Sequence, residues 1–155
     1  MSELYKSHFY EDLAVGMRET MTKTITPEDV VCFANLSGDH NPLHVDKEFA
    51  KTTIFGECIA HGMYTSSFIS ALIGSYLPGP GAIYLNQTLS FKAPVRMGDV
   101  VVASVEIVEL IDRGHRCKLH CEVKVGDVLC AEGEALVKAP SRNPTTPRPK
   151  EAATA

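Results

Sequence analysis

The stretch HGMYTSSFISALIGSYLPGPG, residues His61–Gly81, decides the fold. It lies within a longer run, Cys58–Phe91, that contains no Asp, Glu, Lys or Arg. The segment Met63–Leu77 predicts a helix, which Pro78–Gly79 would end. Because this helix is apolar or small on every side, it must either cross a membrane or be surrounded by protein.

The predicted helix is too short to cross a membrane. Its roughly 15 residues fall short of the ~20 that a bilayer requires. It also carries four serines, which are poor partners for lipid: Ser66, Ser67, Ser70 and Ser75. We therefore expect the central helix of a soluble domain.

Four segments with the character of strands follow the helix: Ala82–Phe91, Val100–Leu110, Arg116–Val125 and Val128–Ala139. In Arg116–Val125 apolar and polar residues alternate strictly, which predicts a strand with one buried and one wet face. The connections near Asp112–Gly114 and Gly126–Asp127 are short enough for hairpins. An antiparallel sheet that curls around the uncharged helix gives an α+β fold.

The segment before the uncharged run predicts a further strand and two helices. Gly16–Ile25 alternates as a strand does. Thr26 is a good N-cap for a helix that Gly38 would end. Asp46 then caps a shorter helix, Lys47–Lys51.

The size and charge of the chain indicate one globular domain. The chain has 155 residues, and we expect a single domain over 1–139. Residues 140–155 include four prolines and no large apolar residue, which predicts a flexible tail. The net charge of −4 and the lack of a Lys/Arg stripe argue against nucleic-acid binding.

The cysteines and the N-terminus predict a cytoplasmic protein. The five cysteines form no CxxC pair, so we expect reduced thiols in apolar surroundings rather than a structural zinc site. The first residues, MSELYKSHFYEDL, lack the basic start and apolar run of a signal peptide.

The turn SGDHNPLH, Ser37–His44, holds an aspartate and a histidine five positions apart among stiff turn residues. Pro42 keeps Asp39 and His44 off one regular helix, so we expect both on a fixed loop. A carboxylate and an imidazole held in this way could share one water, as a general acid–base pair does.

Two other interpretations of this turn stay open. Asp39 could cap the short helix, and His44 could be a buried histidine with satisfied nitrogens. Metal binding is the third possibility, because four potential ligands are close in sequence: Asp39, His40, His44 and Asp46. We predict no metal site, since Pro42 disrupts the i, i+4 presentation of helix-borne sites.

The segment IAHGM, Ile59–Met63, places Gly62 at the start of the uncharged helix. A helix N-terminus offers unpaired N–H groups, and a glycine lets a ligand come close to the backbone. Such donors in apolar surroundings could stabilise an oxyanion or enolate. An ordinary helix start is the alternative, and we expect a structural role for His61.

Three segments, FANLSGDHNPLHVDKEFAKTTIF, IAHGM and YLNQTLSFKAPVRMGD, resemble the MaoC-like (R)-specific enoyl-CoA hydratases in order and spacing. The resemblance covers about Phe9–Lys138 and implies the hot-dog fold, in which an antiparallel sheet wraps a long helix. It also implies a homodimer with sites at the subunit seam, an acyl-CoA thioester substrate and no cofactor.

The resemblance assigns roles to five residues. Asp39 would take a proton from the attacking water, and His44 would hold that water and help to deliver a proton to C2. The N–H of Gly62 would face the thioester carbonyl. Asn41 matches an asparagine that supports the loop, and Ser70 matches a serine near the acyl pocket. Outside this set, we expect Lys92 and Arg96 near the CoA phosphates.

Two other functions compete with hydration. A hot-dog acyl-CoA thioesterase would need a carboxylate on or beside the central helix, where the nearest is Glu57. A non-catalytic module that binds acyl-CoA would be favoured by the loss of Asp39 or His44, but both are present. We therefore prefer the hydratase.

Overall fold

The computed structural model describes residues 4–143, which form one curved sheet and a long helix packed in it. A 3-10 turn spans Tyr10–Asp12. The helices are α1 (Pro27–Ser37), α2 (Pro42–Val45), α3 (Lys47–Lys51) and α4 (Gly62–Ser75). The strands are β1 (Arg18–Thr24), β2 (Ile83–Gln87), β3 (Ser90–Phe91), β4 (Val100–Ile111), β5 (Arg116–Val125) and β6 (Val128–Lys138).

The sheet is antiparallel throughout and has the strand order β1-β4-β5-β6-β2, with β3 also paired to β6. The three long strands β4, β5 and β6 are consecutive in the chain and neighbours in the sheet. They form the predicted meander, with tight turns around Asp112–Gly114 and Gly126–Asp127. Strands β1 and β2 lie at the two edges.

The core lies between this sheet and one face of α4. The alternation in β5 is borne out, because Cys117, Leu119, Cys121 and Val123 are fully buried. The facing positions of β4 and the inner face of α4 complete the core: Val101, Ala103, Val105, Ile107, Ile69, Leu72 and Ile73. Burial of this apolar area is the main force that holds the helix in the sheet.

Helices α1 and α3 begin at residues whose side chains cap them, and α1 ends at a glycine. Thr26 caps α1 in a capping box: its Oγ1 accepts from Asp29 N at 3.1 Å, while Asp29 Oδ2 accepts from Thr26 N at 3.3 Å. Gly38 ends α1 with φ of 84°, a left-handed conformation that favours glycine. Asp46 caps α3 by accepting from Glu48 N and Phe49 N. The predicted cap residues of both helices are thus confirmed.

Helix α4 is not covered on all sides by its own chain. It begins one residue before the predicted start and ends at Ser75. One stripe, the outer face of α4, is exposed: Met63, Ser67, Ser70, Ala71 and Gly74. The sheet of this chain leaves that stripe uncovered, because a single curved sheet can cover only one side of a helix.

The predicted strand Ala82–Phe91 is divided into β2 and β3. The chain bends between them at Thr88, whose carbonyl lies against Gly133 of β6. A Cβ built on Gly133 would be 1.7 Å from that oxygen, so only glycine permits this approach. The bend carries β3 and Phe91 toward the start of α4.

The beginning of the predicted tail contacts the N-terminal segment. Tyr10 N donates to Pro140 O at 2.7 Å, and the Arg142 guanidinium makes two bonds to Asp12, at 2.9 and 2.8 Å. The same guanidinium lies 4.5 Å from the centre of the Phe9 ring. The rest of the predicted tail, 144–155, lies outside the described residues. Across residues 4–143, no helix is both long enough and apolar enough to span a membrane.

Candidate active site

Asp39 lies directly after the end of α1. The left-handed turn at Gly38 redirects the chain, and Ser37 Oγ accepts from Asp39 N at 3.2 Å. The Asp39 carboxylate accepts from Asn41 N at 3.2 Å, a local bond typical of Asp in turns. The side chain is exposed, so the carboxylate is accessible to water.

His44 lies on the one-turn helix α2 (Pro42–Val45), rather than on the fixed loop that the sequence predicted. The reason is that Pro42 occupies the first helical position, where proline starts a helix instead of breaking it. Asn41 caps this turn, since its Oδ1 accepts from Leu43 N at 3.1 Å. His44 Nδ1 is 2.7 Å from the carbonyl oxygen of Ile59. A carbonyl can only accept, so Nδ1 carries the hydrogen and Nε2 is left for other partners.

Gly62 is the first residue of α4. Its N-cap residue, His61, makes no side-chain capping bond. Within residues 4–143, no acceptor meets the Gly62 N–H, which is one of the orphan donors of the first helical turn. A Cβ at this position would lie 2.5 Å from the Phe91 ring, so the glycine lets that ring close over the helix start.

One cavity of about 380 Å³ brings Asp39, His44 and Gly62 together. A carboxylate oxygen of Asp39 and a ring nitrogen of His44 lie within 4.8 Å of each other. One water can therefore bridge them, because two hydrogen bonds of about 2.8 Å span that separation. The rest of the lining is mostly apolar and includes Phe55, Met63, Phe91, Ala93, Pro94, Val95, Cys130 and Ala131.

His61 is the site residue whose importance the sequence did not reveal. It is only 2% exposed and also lines the cavity. Its Nε2 is 3.0 Å from the Asp39 carbonyl oxygen, and its ring stacks on the His44 ring with centroids 3.9 Å apart. Burial lowers the pKa of His61, so the neutral imidazole is favoured. The only signal in the sequence was its position beside Gly62.

Two predicted site residues lie outside the cavity. Asn41 supports α2 as its cap, in accord with loop support, but it is not among the lining residues. Ser70 lies two turns along α4, on the exposed outer face.

Of the two cations expected near CoA, Lys92 lines the cavity, while Arg96 Nε is 2.7 Å from the carboxylate of Glu57. Glu57 is the carboxylate that a thioesterase would need. It forms an ion pair with Arg96 and is not among the residues that line the cavity.

Side chains that could hold a metal ion occur at two places in the described part of the chain. One potential ligand atom each from Asp39, His44 and His61 lie within 4.8 Å of one another. Both histidines donate one ring hydrogen to a carbonyl, which leaves one ring nitrogen on each for another partner. The other group, His120, Glu122 and Glu132, lies on the half-exposed face of the sheet, and none of its members lines the cavity.

Comparison with known proteins identifies close relatives. The chain is 50% identical over 139 residues to "3-hydroxybutyryl-CoA dehydratase" of Methylorubrum extorquens, covering 90% of this chain and 88% of the relative. It is 46% identical over 135 residues to "(R)-specific enoyl-CoA hydratase" of Rhodospirillum rubrum, covering 87% and 94%. A solved (R)-hydratase of Aeromonas caviae, described as involved in PHA biosynthesis, superposes with a TM-score of 0.81 at 44% identity, covering 84% and 99%.

These relatives establish the fold and the family. The A. caviae enzyme covers most of the chain with a high TM-score, so the sheet and α4 form the hot-dog fold that the resemblance implied. The model of the MaoC like domain matches residues 14–129, a span that includes every residue lining the cavity except Cys130 and Ala131, and all three cavity-lining residues predicted to be catalytic. This chain belongs to the MaoC-like domain family.

Proposed function

We propose that this protein hydrates trans-2-enoyl-CoA to (R)-3-hydroxyacyl-CoA. The observation that carries the proposal is that one cavity brings together a carboxylate, an imidazole and a helix N–H that no acceptor meets within residues 4–143. The names of the relatives agree with this chemistry, because hydration and dehydration are the same reaction in opposite directions.

Asp39 and His44 handle the water in this proposal. Asp39 takes a proton from the water as the water oxygen bonds to C3 of the substrate. His44 holds the same water through Nε2, the nitrogen that its bond to Ile59 leaves available. A proton then reaches C2 through this pair, so OH and H are added across the double bond and both side chains return to their starting states.

Gly62 stabilises the charge that develops on the substrate. When the water attacks C3, the electron pair of the double bond moves toward the thioester oxygen. The Gly62 N–H, supported by the positive end of the α4 dipole, donates to that oxygen. Since the charge is larger in the transition state than in the substrate, this donor lowers the barrier.

The shape and lining of the cavity suit an acyl thioester. Phe55, Met63 and Phe91 provide apolar surface for the acyl chain. Lys92 at the rim is available to a CoA phosphate, because its contact with Glu132 is a loose 3.7 Å pair at the surface. The cytoplasmic location expected from the sequence remains a prediction.

We also propose that the protein is a homodimer. Strand β2 is an edge strand, and its Ile83 and Leu85 are 53% and 47% exposed. An unpaired apolar edge of this kind favours association with a second chain. The outer face of α4 is open as well, and a partner there would bring its own surface to Ser70, as the predicted role of Ser70 in an acyl pocket requires.

A direct assay tests the proposed function. Crotonyl-CoA should lose the absorbance of its conjugated thioester when the protein is added, and chiral analysis should identify (R)-3-hydroxybutyryl-CoA. Release of free CoA without a hydroxyacyl product would favour the thioesterase. Binding of crotonyl-CoA without any turnover would favour the non-catalytic module.

A further inference from the structure

His61 contacts both of the residues that handle protons in the proposed function. Its Nε2 is 3.0 Å from the backbone oxygen of Asp39. Its ring lies against the His44 ring at 3.9 Å, with 29° between the ring planes. On another side the Phe33 ring is 4.8 Å away, so the imidazole is enclosed by aromatic groups.

The hydrogen bond fixes the tautomer of His61. The Asp39 carbonyl can only accept, so Nε2 carries the hydrogen in the neutral ring. His61 Nδ1 is then an unprotonated nitrogen, buried and without a hydrogen-bond partner among the described residues. Leaving a polar atom unpaired in the interior is unfavourable, and such an atom in a folded protein calls for an explanation.

A purely structural role would be served better by an apolar residue. Phenylalanine would fill similar space and pack on Phe33 without the cost of the unpaired Nδ1. What phenylalanine would lack is the Nε2–H bond that holds the Asp39 backbone. His61 is also adjacent to Gly62 in the chain, so one residue links the three groups of the proposed mechanism.

We propose that His61 is a positioning residue that holds Asp39 through its Nε2–H and supports the ring of His44 through its face. The proposal rests on the proposed hydratase function. Because acid–base groups must meet the same water, a displacement of about 1 Å can lower the rate by a factor of around 100. Because His61 is buried and contacts both Asp39 and His44, it prevents such a displacement.

Two substitutions separate the two contacts of His61. His61→Phe keeps a ring and removes the donor, whereas His61→Gln keeps a donor near the position of Nε2 and removes the ring. We expect His61→Phe to lower kcat about 10- to 100-fold with a KM change below about threefold. His61→Gln should recover part of that loss. His120→Phe, on the outer face of the sheet and 3.1 Å from the Glu122 carboxylate, is the matched control and should keep wild-type rates.

A double-variant measurement distinguishes positioning from general destabilisation. If His61 acts through Asp39, then His61→Phe should reduce kcat much less in an Asp39→Asn background than in the wild type. Equal factors in both backgrounds would contradict the proposal, as would a wild-type kcat for His61→Phe alone.

A measurement on the wild-type protein covers the case in which His61→Phe does not fold. Nitrogen-15 spectra of the histidines should identify His61 as the neutral Nε2–H tautomer at pH 7. A Nδ1–H tautomer or a charged ring would overturn the inference. This measurement does not depend on turnover, so it stands even if the wild type shows no hydration, whereas that result would refute the proposed function itself.

Discussion

The ring of Phe91 lies so close to Gly62 that a methyl group on the glycine would be 2.5 Å from a ring carbon. Phe91 is on the two-residue strand β3 and is 55% exposed. The ring therefore forms one wall of the cavity, and its outer side is exposed to solvent. This contact couples the start of α4 to the shape of the cavity.

A methyl group at Gly62 should disturb the cavity more than the fold. In Gly62→Ala, we expect Phe91 to swing outward because its ring is partly exposed, so the loss of stability should stay near 1 kcal/mol, the lower end of overpacking costs. The displaced wall should lower kcat/KM about tenfold, a loss of about 1.4 kcal/mol in transition-state stabilisation. Thermal unfolding and crotonyl-CoA hydration measure the two effects.

A double variant, Gly62→Ala with Phe91→Leu, removes the clash and should restore part of the activity. If the activity is not restored, the methyl group itself blocks the amide of residue 62.

Loss of either proton-handling side chain should remove most of the activity. Asp39→Asn and His44→Gln should each lower kcat about 10²- to 10⁴-fold, the usual contribution of acid–base catalysis. The neighbouring His40 is exposed and absent from the cavity lining, so His40→Gln is the matched control and should leave the rate unchanged. Rates near wild type in both Asp39→Asn and His44→Gln would refute the assigned roles.

The cap at Asn41 should affect both stability and turnover. Asn41→Ala removes the acceptor for Leu43 N and should cost about 1 kcal/mol of unfolding free energy. Because α2 carries His44, kcat should fall as well, while Asn41→Asp keeps an acceptor and should retain most of it. Thr26→Ala removes the comparable cap of α1 and should lower stability with little effect on kcat. If Asn41→Ala raised KM alone, Asn41 would instead contact the substrate.

Burial of His61 should make the fold sensitive to acid. Burial lowers its pKa in the folded state below the ordinary value of 6.5, so the unfolded chain binds more protons at and below that pH. Unfolding free energy should therefore fall as the pH decreases below about 6.5, and the fall should continue until the folded-state pKa is reached. In His61→Gln this part of the slope should be missing, as denaturant unfolding between pH 7.5 and about 5 can measure. His40→Gln, at an exposed position, should keep the wild-type slope; if His61→Gln kept it too, the burial would have no such effect.

A charge on the free edge of the sheet should break the proposed dimer. Ile83→Lys and Leu85→Lys introduce a cation into the exposed apolar part of β2, which is a natural way to prevent strand pairing. Light scattering should show a shift from dimer to monomer. Val128→Lys also replaces an exposed apolar residue, but at the β5–β6 hairpin, and should leave the dimer intact. A wild-type protein that is monomeric at micromolar concentration would contradict the proposal.

The sequence predicted the elements whose signals are local. The cap Thr26 and the terminator Gly38 set the ends of α1, and strict alternation in Arg116–Val125 set the buried face of β5. The closeness of Asp39 and His44 could also be inferred, because five positions with a proline between them leave little freedom. The family resemblance then supplied the roles that spacing alone left open.

The tertiary structure decided the features that depend on contacts between distant segments. It buried His61 behind Asp39 and His44, set Phe91 against Gly62 and left Ser70 on an open face of α4. It also placed His44 on a helical turn, because Pro42 begins that turn once Asn41 caps it. Caps and alternation are fixed by neighbours within a few residues and can be read along the chain. Which side chain lies behind a catalytic pair depends on how the sheet and helices pack, and that information is spread over the whole chain.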